Sequence, residues 1–419
     1  MFAHSGAVTA GPPQLRSRAF LALAPVYLSV FLFIAGNSAL QILVPVFLAR
    51  REGLGPTAVG AVIGMFGIAA LAARLPVGVA YSVRRGKPFV LVGGAVSAVA
   101  FALVPVVHGS LAFAALMLMN GVGWSVATTA QLALLVAQRP GGISTAAAMG
   151  WYSGATGLGN AAAGVLGGGA ADLFGLRATF FLLAATPLLG ALLMARGITA
   201  PERAAPVPVA GDRPPLRAAR SLRTMPVAVW TGVLVMFFIN ALNALTNTFQ
   251  PVLAVAAGLS LTQIGALSSI RSWASSSSRF GSGPLFSRYD ASNLTLPLVV
   301  AGTLSLCLVP SVISSFLLQI PLFVVAGVSR GLLRVTGSAD AFESLGDDER
   351  RHGLTAALLN SGLDLGKIVG PILGGAVAGA FGIAAMFRIL PAALLVLYLA
   401  LALPARRSAA RVGVQPSDV

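Results

Sequence analysis

Five ionisable residues stand inside long apolar stretches of the chain: Arg271, Arg330, Arg334, Asp364 and Lys367. A charge at the centre of a bilayer is costly, on the order of 3 kcal/mol on insertion scales, so each of them needs a partner or a function. Arginine has no accessible uncharged form, and its guanidinium offers two parallel donors to a carboxylate or a phosphate. The three arginines therefore predict a site for a small organic anion.

The alternative is that backbone carbonyls or nearby acids, Asp340, Glu343 or Asp364, neutralise these arginines within the protein. By spacing, Asn360, Asp364 and Lys367 share one helix face, so the last two should compensate each other in part. Asp364 is the one carboxylate that the sequence predicts at mid-depth. Asp364 with Lys367 is therefore the candidate proton-coupling pair.

Amide side chains recur at helical spacing in two apolar stretches. Asn240, Asn243, Asn247 and Gln250 follow at steps of three, four and three, which draws one stripe about 15 Å long on a helix. Asn37 and Gln41 form a shorter version. Interhelical hydrogen bonds could explain such a stripe, but its length and recurrence favour the lining of a polar cavity.

Asn120 and Trp124 fall opposite Arg330 and Arg334 when Gly121 is laid on Gly331. With Tyr152 they could supply polar and stacking surface for a substrate, although core packing is as good an explanation for each taken singly. The candidate substrate-binding residues are Arg271, Arg330, Arg334, Asn37, Gln41, Asn120, Trp124, Tyr152, Asn240, Asn243, Asn247, Gln250 and Asn360.

The elements that carry these residues belong to a membrane protein. The 419 residues are 57% hydrophobic and 10% charged, with a mean hydropathy of +0.87, whereas soluble domains carry about 25% charged residues. One cysteine, Cys307, and three scattered histidines exclude a disulfide scaffold and a histidine metal site. We expect no metal and no cofactor.

Twelve apolar segments are long enough to cross a bilayer. They cover residues 19–49, 57–80, 88–108, 110–137, 145–171, 177–197, 226–253, 262–285, 292–311, 314–342, 353–379 and 382–404. The sequence thus predicts a tail (1–18), a six-helix bundle (19–197), a Pro- and Arg-rich linker (198–225), a second six-helix bundle (226–404) and a second tail (405–419).

Basic residues orient these segments. The net charge of +16 would suggest nucleic acid as a partner in a soluble protein. Here the basic residues outside the spans concentrate on one side, and the other side holds only Arg50, Arg51 and Arg177, as the positive-inside rule requires. We therefore expect both termini and the linker in the cytoplasm, a bacterial inner-membrane location and no nucleic-acid partner.

The two bundles are copies of each other. A shift of 205 residues superimposes Gly53, Leu54, Thr57, Gly60, Ala61, Arg74, Gly78 and Ser82 on identical residues. A shift of 206 places Asn37 on Asn243 and Gln41 on Asn247, and a shift of 207 places Phe174-Gly175 on Phe381-Gly382. Because each copy has six spans, the copies lie parallel, related by an axis along the membrane normal.

With six plus six spans, a cytoplasmic linker and the basic, glycine-containing loop from Arg74 to Lys87, the chain resembles the major facilitator superfamily over essentially its whole length. The stretch from Gly366 to Gly375 is similar to a glycine-proline pattern of exporters in that family. Tyr81 and Ser82 stand near the place of the family's acidic loop residue. The resemblance implies an all-α membrane fold of two pseudo-symmetric six-helix bundles.

In that fold spans 1, 4, 7 and 10 line the cavity, spans 2, 5, 8 and 11 join the halves, and spans 3, 6, 9 and 12 face lipid. Residues near the cytoplasmic ends of the joining spans and of span 10 are candidates for gating. They are Arg74, Gly78, Arg279, Asp340 and Glu343.

The expected function is secondary transport of a small organic anion by alternating access, with protons as the candidate coupling ion in symport or antiport. The alternative is a proton-driven efflux pump for drugs, sugars or other amphipathic molecules. We see no phosphate loop and no catalytic motif, so we do not expect an enzyme. We expect a monomer whose partners are its substrate and the lipid bilayer.

Overall fold

A computed structural model describes residues 13–137, 145–198, 225–286, 288, 291–345 and 349–412. Within these ranges the chain is helical and contains no β-strand. The helices are α1 (Pro13–Arg50), α2 (Pro56–Ala80), α3 (Gly86–Leu103), α4 (Ser110–Ala137), α5 (Thr145–Gly197), α6 (Val227–Ala256), α7 (Leu261–Phe280), α8 (Ser282–Phe286), α9 (Ala291–Leu308), α10 (Phe316–Glu343), α11 (Glu349–Phe381) and α12 (Ile383–Val412).

Helix α5 holds two predicted spans in one continuous run. Gly175 interrupts it with φ 79° and ψ 158°, a conformation that glycine adopts without steric cost. Its repeat mate Gly382, between α11 and α12, has φ 85°, and the repeat pair Gly53 and Gly258 has φ 63° and 93°. The repeated sequence therefore has a repeated backbone, with the same positive-φ turns in both halves.

By length and composition, ten helical segments of the described chain qualify as membrane spans, against the twelve predicted. Two features account for the difference. The two arms of α5 are counted as one segment, Ala148–Gly197. Helix α7 is rich in serine from Ser268 to Ser278 and is absent from the ten. A helix this polar fits a place between other helices better than one against lipid.

The described helices pack as two bundles, α1–α5 and α6–α12. In the first bundle α1 packs on α5 and α2 on α4, and in the second α6 packs on α11 and α7 on α10. Three apolar clusters fill the interiors; the largest extends from the second bundle to Ile42 and Val46 of α1. Exposed leucine, valine and phenylalanine side chains cover α3, the second arm of α5, α9 and α12, the helices expected to face lipid.

Two seams join the bundles, α2 with α11 and α5 with α7. A Cβ added to Gly164 of α5 would collide with the carbonyl oxygen of Gly265 of α7, and one added to Gly60 would collide with that of Pro371 in α11. Small residues let helix backbones approach this closely. The glycines of Gly366 to Gly375 likewise serve close packing here.

The ends of the bundles differ from the predicted tails. Helix α1 already begins at Pro13 and α12 continues to Val412, so helix extends into both predicted tail segments. Residues 199–224 of the predicted linker lie outside the described residues.

Candidate substrate site

The arginine cleft lies inside the second bundle, between α6, α7, α9 and α10. It has a free volume of about 30 Å³ and is lined by Asn243, Arg271, Arg330 and Ser329, with apolar side chains around them. The local sequence explains the arrangement. Arg271 lies on the same buried face of α7 as Ser268 and Ser275, three and four residues away. Two of the three predicted anion-binding arginines thus share one cleft.

Arg271 is the most enclosed of these arginines, with 5% of its surface exposed. Its Nη2 donates to Oδ1 of Asn247, and its guanidinium carbon lies 5.7 Å from the ring centre of Phe323. Its Nε has no hydrogen-bond partner in the part of the chain that the structure describes. A neutral amide and an aromatic face lower the cost of burying this charge without neutralising it.

Arg330 is half-buried in the cleft, and Arg334 lies one helical turn further along α10, more exposed. Arg271, Arg334 and Arg279 all repel Arg330 electrostatically. In the ranges that the structure describes, no aspartate or glutamate is ion-paired with Arg271, Arg330 or Arg334. The excess of positive charge that the sequence predicts is thus present around the cleft.

The amide cleft lies between the bundles and has a free volume of about 30 Å³. Its polar lining residues are Gln41, Asn120, Asn247, Thr248 and Lys367, and its apolar walls include Phe66 and Pro371. Asn120 is 1% exposed; its Nδ2 donates to Oδ1 of Asn37 at 3.1 Å, and its own Oδ1 has no hydrogen-bond partner among the described residues. Asn247 belongs to this cleft and, through its bond with Arg271, borders the other.

The four amide side chains of the stripe on α6 serve two different purposes. Asn240 donates to the carbonyl of Leu363 on α11, and Gln250 donates to Oε1 of Gln319 on α10 at 3.2 Å. Both are almost fully buried, so these bonds satisfy groups that would otherwise be costly. The structure therefore places Asn240 and Gln250 in contacts between helices, whereas Asn243 and Asn247 line the clefts.

The predicted aromatic residues are partly core. Trp124 stacks on Phe33 with ring centres 5.4 Å apart and meets the edge of Phe66 at 6.0 Å. Tyr152 is half-buried on the first arm of α5, and Asn360 is exposed on α11. Neither Tyr152 nor Asn360 lines the two clefts.

An ion triad joins the bundles at the seam of α2 and α11. The distance from Nη2 of Arg74 on α2 to Oδ2 of Asp364 is 3.3 Å. Nζ of Lys367 donates a hydrogen bond to Oδ1 of Asp364, also at 3.3 Å. Asp364 is almost fully buried. The sequence predicts the pair of Asp364 and Lys367 on α11 but not the contact with Arg74, which lies 290 residues away. The signal that could have revealed it is the presence of opposite charges on two spans expected to form one seam.

The other gating candidates have different surroundings. Arg279, the repeat mate of Arg74, donates within its own helix to Ser275 O and Ser276 Oγ. Gly78 has open space where a side chain would be. Asp340 is half-buried and Glu343 exposed near the end of α10.

The seams are closed at the end of the molecule that carries residues 51–55 and 257–260. There Asp172 of α5 accepts hydrogen bonds from the backbone N–H groups of Leu261 and Thr262 at 3.2 and 2.7 Å, and Arg50 donates to Val255 O at 2.8 Å. At the opposite end of α5, no described residue lies within 4 Å of the place where a Cβ would stand on Gly150 or Gly154. Sequence reasoning missed Asp172, an acid facing the start of a helix, where it caps free N–H groups.

Two parallel, pseudo-symmetric helical bundles with polar clefts inside and between them define a membrane transporter. The sequence matches the family model of the Major Facilitator Superfamily over residues 26–353, and the chain belongs to this family. No curated protein matches the sequence significantly.

Solved structures have the same fold. A point mutant of the nucleoside transporter NupG superimposes with a TM-score of 0.74 at 16% identity, covering 91% of this chain and 99% of its own. A bacterial homologue of the human lysosomal transporter Spinster, in an inward-facing and unoccupied conformation, gives 0.72 at 15% identity, covering 97% and 100%. The expected all-α membrane fold and the expected family are confirmed.

Proposed function

We propose that this transporter carries a small organic anion across the membrane by alternating access. The observation that carries the proposal is the set of guanidinium groups of Arg271, Arg330 and Arg334. They lie at or next to one cleft, and no acid of the described chain is ion-paired with them. A carboxylate or phosphate seated between Arg271 and Arg330 would supply the negative charge that both guanidinium groups lack among the described residues.

The closed seams at one end and the open space at the other fit a rocking motion of the two bundles about a central site. With the orientation that the basic residues predict, the open end faces the cytoplasm, and both termini lie there in a bacterial inner membrane. The contacts within one chain require no second copy, and we propose that the monomer is the working unit.

The ion triad is our candidate for proton coupling and gating. Protonation of Asp364 would remove the charge that holds Arg74 of the first bundle to α11 of the second. It would also leave Lys367 without its counter-ion. A proton on this one carboxylate would thus weaken the α2–α11 seam, which would couple protonation to the motion of the two bundles.

Transport by purified protein in liposomes tests the proposal. Replacing Arg271 or Arg330 by glutamine should abolish uptake or exchange of organic anions while leaving membrane insertion intact. Arg388→Gln is the matched control, since Arg388 is exposed on α12 and its side chain bonds only to Ser311 Oγ at 3.4 Å among the described residues. Full activity of the Arg271 and Arg330 variants would refute the anion site.

One observation favours the second candidate, efflux of amphipathic molecules. An apolar groove of about 1190 Å³ runs along Leu28 of α1, Trp151 and Leu158 of α5, and Phe280 of α7. Lipophilic cations would enter such a groove from the membrane. If the arginine variants retain activity and accept cationic dyes, this function replaces the anion carrier.

A further inference from the structure

We infer that the transported anion carries a neutral hydrogen-bond donor, a hydroxyl or an N–H, on a small flat apolar body at the end opposite its negative charge. The amide cleft, with Asn120 as the specificity-determining residue, would bind that donor. This inference rests on the proposed function, because it assigns the anionic end of the substrate to the arginine cleft.

Asn247 connects the two clefts. It lines the amide cleft, and its Oδ1 accepts from Arg271, which lines the arginine cleft. One turn away on the same helix, Asn243 lines the arginine cleft, so about 6 Å of helix separates the two levels. A molecule with a charge at one end and a polar group roughly one ring away could contact both clefts at once.

Asn120 specifies the chemistry of the neutral end. Its amide nitrogen is engaged with Asn37, which leaves the carbonyl Oδ1 as the available group, and this atom is buried without a partner in the described chain. A carbonyl oxygen accepts hydrogen bonds and repels another acceptor or an anion. A buried acceptor therefore selects for a donor on the substrate and against a second negative charge.

The walls between the polar groups are apolar. The lining residues are Leu40, Val44, Ile63, Phe66, Met117 and Pro371. Phe66 is held by its edge contact with Trp124, which itself stacks on Phe33. This aromatic cluster offers a fixed wall against which a ring can stack at little entropic cost.

Lys367 is the one cation on the amide cleft among the described residues, and it would be the competing site for the negative end. Its Nζ lies 3.3 Å from Oδ1 of Asp364, which neutralises it. Arg271 and Arg330 lack such a counter-ion within the described ranges. The charge distribution therefore directs the anionic end to the arginine cleft and the neutral end to Asn120.

The test uses the full-length protein in proteoliposomes and two matched pairs of flat anions that differ in a terminal donor: 4-hydroxybenzoate with 4-methoxybenzoate, and 4-aminobenzoate with 4-(dimethylamino)benzoate. Uptake of each donor-bearing anion should exceed that of its partner by about tenfold, the value of one neutral hydrogen bond. The double variant Asn37→Leu, Asn120→Leu removes both members of the buried pair and should reduce the ratio to about one. Gln41→Leu, which leaves that pair intact, is the second variant and should reduce the ratio in part.

The outcomes separate the two proposals. Equal uptake within both pairs by the wild-type protein, or a ratio that neither variant changes, overturns this inference and leaves the anion carrier standing. Uptake of none of the four anions overturns both. Loss of uptake in Lys367→Gln but not in Arg271→Gln would reverse the assignment of the two ends.

Discussion

The two bundles are copies in sequence and backbone, but their interiors carry different chemistry. A shift of 205 residues places Phe66 at the position of Arg271, and a shift of 210 places Asn120 and Trp124 at those of Arg330 and Arg334. In the first bundle these side chains form an aromatic contact and a closed amide pair. In the second bundle they are guanidinium groups around a cleft.

The difference shows that the two copies of a duplicated fold can carry different chemical groups at matching positions. The first bundle supplies neutral and aromatic surface, and the second supplies positive charge. The seams differ in the same way. At the shift of 207 the mate of Asp364 is Gly157, so the α5–α7 seam has no acid to meet Arg279 at the place where the α2–α11 seam joins Arg74 to Asp364.

The largest effect is expected when a charged residue of the second bundle is replaced by the neutral residue at the matching position of the first. Arg330→Asn copies the side chain of its repeat mate and should lower anion transport by about 30-fold or more, because a desolvated charge contact of this kind is worth roughly 2 to 5 kcal/mol. Initial rates of labelled-anion uptake measure the effect. Arg388→Asn should change the rate less than about twofold, and an equal loss in both variants would indicate damage to folding instead.

Removal of the ion triad tests the difference between the seams. Asp364→Asn should destabilise the protein by about 3 kcal/mol, since it leaves Lys367 and Arg74 without their buried counter-ion. It should also make transport insensitive to an imposed proton gradient. Thermal unfolding and gradient-driven uptake check the two effects. Retained proton-driven uptake in this variant would contradict the coupling function of Asp364.

A larger side chain at a glycine of the packed seams should lower the stability of the protein. Gly164→Val places a branched side chain against the carbonyl of Gly265 and should cost about 1 to 3 kcal/mol of stability. Gly169→Val is the matched control on the same helix, because a Cβ at Gly169 meets nothing within 4 Å. Thermal melting of both variants in detergent is the measurement, and equal melting temperatures would show that the α5–α7 contact is not tight.

The smallest effect is expected at the helix cap that closes the α5–α7 seam. Asp172→Asn keeps an acceptor at the start of α7 but removes its charge, which should cost about 1 kcal/mol or less. The closed end should then open more often. In a Cys307→Ser background, a cysteine introduced at Ile42, which is buried in the apolar cluster shared by the two bundles, reports this opening through its accessibility to a water-soluble thiol reagent. Unchanged labelling would show that the cap contributes nothing to closure.

Much of this architecture is predictable from sequence because it depends on local chemistry. The length of the apolar segments predicts the membrane spans, and the internal repeat predicts two parallel bundles. The cost of a buried charge singles out Arg271 and Arg330. Serine-rich α7 shows the limit of hydropathy, because its polar residues are compatible with a position between helices.

The contacts between distant residues could not be predicted in the same way. Spacing on one helix reveals Asp364 with Lys367, but the addition of Arg74 depends on which faces of α2 and α11 meet. The amide stripe on α6 has the same difficulty. Its period predicts a common face, yet only the packing of α10 and α11 shows that Gln250 and Asn240 bond to neighbouring helices whereas Asn243 and Asn247 reach the clefts.

Thermal stabilisation of the purified protein by 4-hydroxybenzoate, compared with its uncharged analogue 4-hydroxybenzamide, most directly tests whether the second bundle binds negative charge. A ligand that prefers the folded state raises the melting temperature. We predict a rise with the anion alone, and none in the double variant Arg271→Gln, Arg330→Gln. Equal stabilisation by anion and amide, or a rise that persists in the double variant, would contradict the account.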